Sequence, residues 1–185
     1  MRRLSVFNSV SLDGYFTDNK GDMSWAHKND PEFNDFVASN AKGGNGPILF
    51  GRVTYQMMSS FWPTSQAIEM FPDVAIAMQN LPKVVFSRTL DKAEWSNTRL
   101  VKENIANEVR KMKEEDGDDM VIMGSGTIVS QLTQEGLIDE YQMVVNPIVL
   151  GSGRTMFDGV KDRLNLKRTN IRSFENGNVF MVYVR

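Results

Sequence analysis

Cysteine is absent from this 185-residue chain, and histidine occurs once, at His27. Without cysteine there is no disulfide bond, no thiolate zinc site and no cysteine nucleophile. A single histidine also excludes a site built from several histidine ligands, so no metal site is predicted. His27 itself is expected to be a solvated loop residue. The lack of disulfides fits a cytoplasmic protein.

Long hydrophobic runs are absent as well. No apolar stretch approaches the roughly 18 residues of a spanning helix, and no secretory signal is recognisable. The net charge is −2 and the basic residues are scattered, so neither nucleic acid nor a membrane is a predicted partner. What the chain does contain, 41% hydrophobic and 24% charged residues, predicts one compact domain over residues 1–185.

Hydrophobic patterning predicts strands that alternate with helices, followed by a final ribbon. One helix is expected to begin at Pro31 with Asp30 as its N-cap, and another is capped by Asn104. Asn-Gly at residues 176–177 predicts a hairpin between the last two strands. The predicted fold is α/β: a three-layer αβα arrangement with a mixed, mostly parallel central sheet and a C-terminal antiparallel hairpin. Strands are expected at residues 4–10, 47–50, 83–87, 98–101, 120–123, 139–145, 168–174 and 179–184.

Residues 120–132, MVIMGSGTIVSQL, combine a buried strand, a tight turn and a helix. The strand runs into Gly124-Ser125-Gly126, and Ile128, Val129 and Leu132 then follow at helical spacing. Such a turn brings unpaired backbone N–H groups and the positive end of a helix dipole to one point, which can hold a phosphate or pyrophosphate. The alternative is an ordinary strand–helix connection, because short glycine motifs are common.

Two further predicted strands end in residues with phosphate-binding chemistry. Gly51-Arg52-Val53-Thr54 follows one, and Ser87-Arg88-Thr89 follows the other. Glycine permits close backbone approach, and each arginine offers a guanidinium fork. Ligands of open α/β sheets bind beyond the carboxyl ends of the parallel strands, so the three segments together could span a dinucleotide. For each arginine alone, a surface ion pair is the alternative.

The motifs together resemble a known superfamily. Residues 49–55, LFGRVTY, are similar to the Gly-Arg-x-Thr-aromatic motif of dihydrofolate reductases, and residues 120–132 resemble that family's second glycine motif. Residues 11–14, SLDG, 136–140, GLIDE, and 146–153, NPIVLGSG, look more like a sister group. That group is the reductase domain (RibD C-terminal domain) of bifunctional riboflavin-biosynthesis proteins, with its free-standing relatives. The resemblance covers nearly the whole chain in the right order.

The resemblance implies an NADPH-dependent reductase that transfers a hydride to a pterin-like or other small heterocyclic or carbonyl substrate. It places Ser87 and Arg88 at the adenosine ribose with its 2′-phosphate, and Met123 on the nicotinamide side. The residues implied at the cofactor phosphates are Gly51, Arg52 and Thr54. Those implied around the pyrophosphate are Gly124, Ser125, Gly126, Thr127 and Ile128.

Two departures from the family patterns bear on these implications. Ser125 stands where dihydrofolate reductases have a second glycine, often preceded by a cis peptide bond. Since a cis bond before a non-proline residue costs about 3 kcal/mol, that geometry is left open here. Met123 stands where the riboflavin branch has a glutamate, and the sequence has no zinc deaminase domain. Both points argue against the riboflavin intermediate as substrate.

On the substrate side the sequence offers four candidates. Counting back from Gly51 puts Asp35 in the place of the acid that binds the pteridine in dihydrofolate reductases; a solvated helix residue is the alternative. Asp13 could orient substrate or, with a raised pKa, handle a proton, whereas the alternative is an Asx-turn residue. Ser11 adjoins it. Trp25 lies with Phe16 in a long polar loop that suits a lid over an apolar ring, or a small core of its own.

Two other functions stay open: a reductase of the riboflavin pathway acting on a 5-amino-6-ribosylaminouracil-type substrate, or of a related pterin pathway, and a dinucleotide-binding module without turnover. The resemblance also implies a homodimer. The apolar strands around residues 144–145 and 179–184 agree with this, because they would leave sheet surface to cover.

Overall fold

The computed structural model describes residues 1–26, 30–42 and 44–185; His27, whose solvated state the sequence predicts, lies outside the described residues, as does Gly43. The strands are β1 (Leu4–Ser11), β2 (Tyr15–Thr17), β3 (Ile48–Gly51), β4 (Lys83–Phe86), β5 (Thr98–Val101), β6 (Met120–Ile122), β7 (Glu140–Asn146), β8 (Arg154–Thr155), β9 (Lys167–Ser173) and β10 (Val179–Val184). The helices are α1 (Pro31–Lys42), α2 (Arg52–Phe61), α3 (Ser65–Met70), α4 (Pro72–Asn80), α5 (Ile105–Glu114) and α6 (Gly126–Gln134), with a 3₁₀ turn at Ser24–Ala26.

Eight strands form one mixed sheet in the order β5-β4-β3-β6-β1-β7-β10-β9. The strands from β5 to β7 run parallel, whereas β10 is antiparallel to both β7 and β9. The parallel strands therefore bring their carboxyl ends to one edge of the sheet. β2 and β8 pair as a separate two-stranded ribbon.

Helices cover both faces of the sheet, which confirms the predicted three-layer fold. Alternation along β3 sends Leu49 to one face and Phe50 to the other. Leu49 packs in a cluster with residues of α5 and α6, and Phe50 packs in a cluster with residues of α2 and α4. On that second face, α1 covers the β7–β10 end with Phe33 and Phe36. Asp30 caps α1 as predicted, because its Oδ1 accepts a hydrogen bond from the N–H of Phe33 at 2.7 Å.

Several local features of the fold differ from the sequence predictions, because contacts with other parts of the chain determine them. α3 and α4 are two separate helices, because Pro72 disfavours helical backbone at Phe71, where α3 ends. Asn104 occupies the N-cap of α5, but its backbone is left-handed (φ 52°) and its side chain makes no capping bond. The β2–β8 ribbon is absent from the predictions because its strands are too short for a hydrophobic period.

None of the helices in the described ranges is long and apolar enough to cross a membrane.

Val53 and Met57 form an apolar stripe along α2 that does not enter the core. Val53 is 57% exposed and Met57 37% exposed, whereas Tyr55 on another side of the helix is buried with Phe50 and Trp95. The stripe therefore leaves an apolar surface beside the carboxyl end of β3.

Candidate active site

Two helix N-termini meet at the ends of the neighbouring strands β3 and β6. α2 begins directly after Gly51 and α6 directly after Ser125, and neither N-cap position has a side-chain capping bond. The N–H of Gly51 donates to the carbonyl oxygen of Gly124 at 2.9 Å, which joins the two turns. The first N–H groups of a helix have no intrahelical partner and carry the positive end of its dipole. This point of the fold therefore suits an anion.

The glycines at this junction are required by contacts inside the protein. A Cβ atom on Gly51 would lie 2.5 Å from Oγ of Ser125, and one on Gly126 would lie 2.7 Å from a ring carbon of Phe16. Gly124 has φ +111°, in the region that favours glycine. The peptide bond between Gly124 and Ser125, left open by the sequence, is cis. Close packing between β3, the turn and Phe16 thus explains glycines that the sequence assigns to ligand approach.

A cleft of about 960 Å³ opens beside the turn, within the size range of small-molecule sites. Its first wall is the apolar stripe of α2, and the second is the glycine turn with the outer side of α6. The third comes from β2 and the loop after it, and the fourth from the segment around β8. The lining residues include Val53, Thr54, Met57, Met58, Met123, Gly124, Ser125, Gly126, Thr127, Phe16, Thr17, Gly21, Met23, Arg154 and Thr155.

Asn8 also lines this cleft, and sequence reasoning missed it together with Thr17. Both side chains are only 8% exposed. Nδ2 of Asn8 and Oγ1 of Thr17 are buried and have no hydrogen-bond partner among the described residues. A signal for Asn8 does exist in the sequence, since it interrupts the row Leu4, Val6 and Val10, which is otherwise apolar and buried.

Six of the predicted cofactor residues line the cleft: Thr54, Met123, Gly124, Ser125, Gly126 and Thr127. Gly51 is buried beneath the turn, and Ile128 packs in the core. Arg52 is the exposed first residue of α2, and its Nη1 donates to Oε1 of Gln56 at 3.0 Å. These positions keep the predicted residues together at the β3 and β6 ends.

Ser87 and Arg88 lie one strand further along the same edge. Gly51 pairs with Phe86, the last residue of β4, and Ser87 follows it directly. The Ser87 hydroxyl accepts hydrogen bonds from the N–H groups of Thr89 and Leu90, at 3.2 and 2.9 Å. Arg88 is exposed, without a partner among the described residues. The two side chains adjoin the cleft residues along the sheet edge without lining the cleft.

Asp13 holds a turn in place. Its Oδ1 accepts from the Ser11 hydroxyl at 2.7 Å and from the N–H of Leu150 at 3.1 Å, and its Oδ2 accepts from the N–H of Gly151 at 2.7 Å. The hydrogen bond from Ser11, followed by those from the two backbone N–H groups, lowers the pKa of Asp13 below its usual value. An ionised carboxylate with these partners fits the turn role better than that of a proton donor, which would need a raised pKa.

The other predicted substrate residues lie away from the described cleft lining. Asp35 is on the exposed side of α1. Ser11 is buried, and its hydroxyl also accepts from the N–H of Tyr15 at 2.9 Å. Trp25 is half-buried in the 3₁₀ turn and donates its indole N–H to the carbonyl oxygen of Asp22 at 3.2 Å. Phe16 on β2 and Met23 in the loop after it line the cleft, whereas Trp25 does not.

A sequence model of the RibD C-terminal domain matches residues 2–180. The chain belongs to the RibD C-terminal domain family. Membership confirms the resemblance inferred from the motifs and supports a reductase of the dihydrofolate reductase-like class.

Two proteins of Bacillus subtilis (strain 168) are similar to this chain over its length. The uncharacterized protein YyaP is 30% identical over 184 residues, covering 98% of this chain and 94% of YyaP. The uncharacterized protein YwjB is 25% identical over 188 residues, covering 100% of this chain and 98% of YwjB. These matches run the full length of the domain.

Solved structures show the same fold. A putative riboflavin biosynthesis protein from Shewanella sp. PV-4 superposes with a TM-score of 0.78 at 23% identity, covering 99% of this chain and 98% of that one. A diaminohydroxyphosphoribosylaminopyrimidine deaminase/5-amino-6-(5-phosphoribosylamino)uracil reductase from Thermotoga maritima gives 0.69 at 16% identity, covering 99% of this chain and 56% of that one. At these identities the likeness establishes architecture.

Proposed function

We propose that this protein is an NADPH-dependent reductase that transfers a hydride to a pterin-like or other small heterocyclic or carbonyl substrate. One observation carries the proposal: the uncapped N-termini of α2 and α6 meet at Gly51 and Ser125, beside a cleft large enough for a ring ligand. A pyrophosphate is the kind of group that two such termini bind.

The residues present fit a dinucleotide of this kind. The N–H groups of Gly126 and Thr127 have no partner among the described residues, so they are free to donate to phosphate oxygens. Arg52 adds a guanidinium at the neighbouring helix start, and Arg88 adds another one strand further on. Charge-assisted bonds from these groups would hold the phosphates and set the position of the rest of the ligand.

NADPH, when bound, supplies the hydride, and the protein supplies position and surroundings. Val53, Met57 and Met123 give the cleft an apolar side that suits the faces of planar rings and excludes water from them. The hydroxyl of Thr54 lies close to Gly124, since a Cβ atom on that glycine would be 3.0 Å from it. The chain's contribution to the reaction is thus orientation of two rings in a largely apolar space.

Absorbance at 340 nm tests this function directly. Purified protein is mixed with NADPH and with dihydrofolate, a panel of pterins, small carbonyl compounds and a 5-amino-6-ribosylaminouracil. The proposal expects oxidation of NADPH with at least one of these substrates. A Thr127→Pro variant, which removes one N–H of the turn, should lose NADPH binding. The control Gln66→Pro, at an exposed position of α3, should keep it. Failure of the wild type to bind NADPH would contradict the proposal.

Two alternatives have distinct outcomes in the same assay. Turnover of the ribosylaminouracil alone would establish a riboflavin-pathway reductase, which the names of the two solved neighbours favour and Met123 disfavours. Binding of NADPH without oxidation in any mixture would favour a non-catalytic dinucleotide-binding module. Cytoplasmic localisation belongs to the same proposal, since it is where NADPH-linked biosynthesis takes place.

A further inference from the structure

Two buried polar groups lie in the lining of the cleft without a partner among the described residues. Nδ2 of Asn8 projects from β1, and Oγ1 of Thr17 projects from β2. Burying a donor or hydroxyl without a hydrogen bond is unfavourable, so such groups are usually paired. Shape alone does not require either polar residue, because leucine has the branching of asparagine and valine has that of threonine.

The remaining buried groups of this kind in the described ranges lie elsewhere. They are Nε of Arg2, Oδ1 of Asn146, Nδ2 of Asn176 and both amide atoms of Asn178. None of these residues lines the cleft. Asn8 and Thr17 are therefore set apart by their place, on two consecutive strands that face one cavity.

The amide of Asn8 faces the start of the glycine turn. A Cβ atom on Gly124 would lie 3.7 Å from Oδ1 of Asn8 and 3.0 Å from Oγ1 of Thr54. Thr17 is held by its pairing with Arg154 across the β2–β8 ribbon. The polar pair thus belongs to the same cavity as the apolar stripe of α2, and a planar ring would have its faces on apolar side chains and its edge on polar ones.

We propose that Asn8 and Thr17 form a polar subsite that binds the carbonyl or amide edge of a planar ring. Nδ2 of Asn8 donates to the carbonyl oxygen, and the Thr17 hydroxyl, which can donate and accept, binds the adjoining polar atom. The assignment rests on the proposed function. Two ring ligands carry this chemistry: the nicotinamide carboxamide of NADPH and the lactam of a pterin-like substrate.

Three ligands distinguish the sources: NADPH, 6-methylpterin, and 2′-phospho-ADP-ribose, which lacks the nicotinamide. Asn8→Leu and Thr17→Val replace the polar groups by apolar ones with the same branching, and Thr17→Ser keeps the hydroxyl. Each of the first two variants should weaken the ring ligand that uses the subsite about tenfold, and Thr17→Ser should bind within about twofold of wild type. Weaker binding of NADPH alone would assign the subsite to the nicotinamide carboxamide. Weaker binding of 6-methylpterin would assign it to the substrate. The 2′-phospho-ADP-ribose affinity should be unchanged in all three.

The melting temperature distinguishes a binding role of Asn8 from a structural one, because loss of a structural residue would lower it. Without ligand, Asn8→Leu should melt at the wild-type temperature or above, because an unpaired buried amide has been removed. Asn178→Leu makes the same change outside the cleft and should leave all three affinities unchanged. If Asn8→Leu fails to fold, Asn8 supports the structure, and the Thr17→Val and Thr17→Ser pair decides the subsite.

Wild-type affinity for both ring ligands in Asn8→Leu and Thr17→Val would overturn the subsite while leaving NADPH binding intact. Equal weakening of 2′-phospho-ADP-ribose would also overturn it, because the whole cleft would then be damaged. A wild type that binds 6-methylpterin through Asn8 but not NADPH would contradict the proposed function and retain the subsite. A wild type that binds none of the three would contradict both.

Discussion

The N–H of Gly51 donates to the carbonyl oxygen of Gly124 at 2.9 Å, and this bond ties the end of β3 to the turn that follows β6. It brings two helix starts together from segments more than 70 residues apart in the sequence. The same closeness leaves no space for a side chain at Gly51, where a Cβ would lie 2.5 Å from Oγ of Ser125.

Gly51→Ala should therefore reduce both stability and NADPH affinity. Overpacking of this size costs typically about 1–3 kcal/mol, and separation of the two turns should weaken phosphate binding. Gly44→Ala is the matched control, because a Cβ there meets nothing within 4 Å. Urea unfolding and fluorescence titration measure the two effects. An unchanged NADPH affinity in Gly51→Ala would separate the glycine junction from the cofactor site.

The wild type should prefer NADPH to NADH, and Arg88→Ala should remove much of that preference. A charge-assisted bond to the 2′-phosphate is worth about 1.5–3 kcal/mol, or roughly ten- to a hundredfold in affinity. Added salt should weaken NADPH more than NADH. Arg99→Ala is the control, since that guanidinium pairs with Glu108 on α5. Quenching of the three tryptophans gives both dissociation constants. Equal wild-type affinities would contradict the assignment of Ser87 and Arg88.

Asp13→Asn should destabilise the protein at neutral pH and much less in acid. The lowered pKa of Asp13 means that its carboxylate stabilises the folded state above the unfolded-state pKa, near 3.8. That contribution disappears as the pH falls through the folded-state pKa. The difference in melting temperature between wild type and variant should therefore shrink below about pH 4. Asp91→Asn, in an exposed loop, serves as control. A constant difference from pH 7 to pH 3 would exclude a role for the charge.

Lys83 should make the stability depend on alkaline pH. Its buried ammonium donates to the carbonyl oxygens of Met78, Gln79 and Leu81 at the C-terminal end of α4, and burial lowers its pKa to about 8. Between pH 8 and about 10.5 the unfolded chain binds more protons than the folded one, so the free energy of unfolding should rise with pH. Lys83→Met lacks this titration, so the difference between wild type and variant cancels the contributions of the other groups. Urea denaturation at steps of half a pH unit measures both free energies of unfolding. The wild type should gain stability relative to the variant as the pH rises, whereas parallel curves would contradict the prediction.

A homodimer remains a prediction, and the exposed edge strand β9 is its candidate surface. Ile171 on β9 is 52% exposed and pairs with the half-buried Met181 of β10, whereas Val144 is fully buried on the α1 side. Sedimentation at micromolar concentration should show a species of twice the chain mass, and Ile171→Glu should shift it towards the mass of one chain. Ile76→Glu, an exposed site on α4, is the control. A single species near 21.0 kDa in the wild type would contradict the dimer.

Much of the fold could be predicted because its signals are local. The strands of the parallel sheet have apolar runs, α1 has an N-cap at Asp30, and the hairpin before β10 has an Asn-Gly turn. These features depend on neighbours in sequence, which is why they can be recognised without the structure. The glycine motif of residues 120–132 likewise indicated a strand, a turn and a helix start.

The site was only partly predictable because it is assembled from distant segments. Asp13 carries the residue type of an acid catalyst, but the hydrogen bond from Ser11 lowers its pKa, and the N–H groups of Gly151 and Leu150, from beyond β7, lower it further. Val53 and Met57 have the spacing of a core stripe, and only the tertiary packing turns them to the cleft. Asn8 interrupts an apolar row, but its lack of a partner depends on what surrounds it.

The sequence by itself determined the family and most of the order of strands and helices, since each follows from short-range pattern and residue chemistry. The residues that bind phosphate groups stay a prediction. Only the tertiary structure decided that Gly51 and Gly124 are joined, that Gly126 is small because of Phe16, and that Asn8 and Thr17 face one cavity. The physical reason is that hydrogen-bond satisfaction and close packing are properties of residues brought together across the sheet, and no local pattern encodes them.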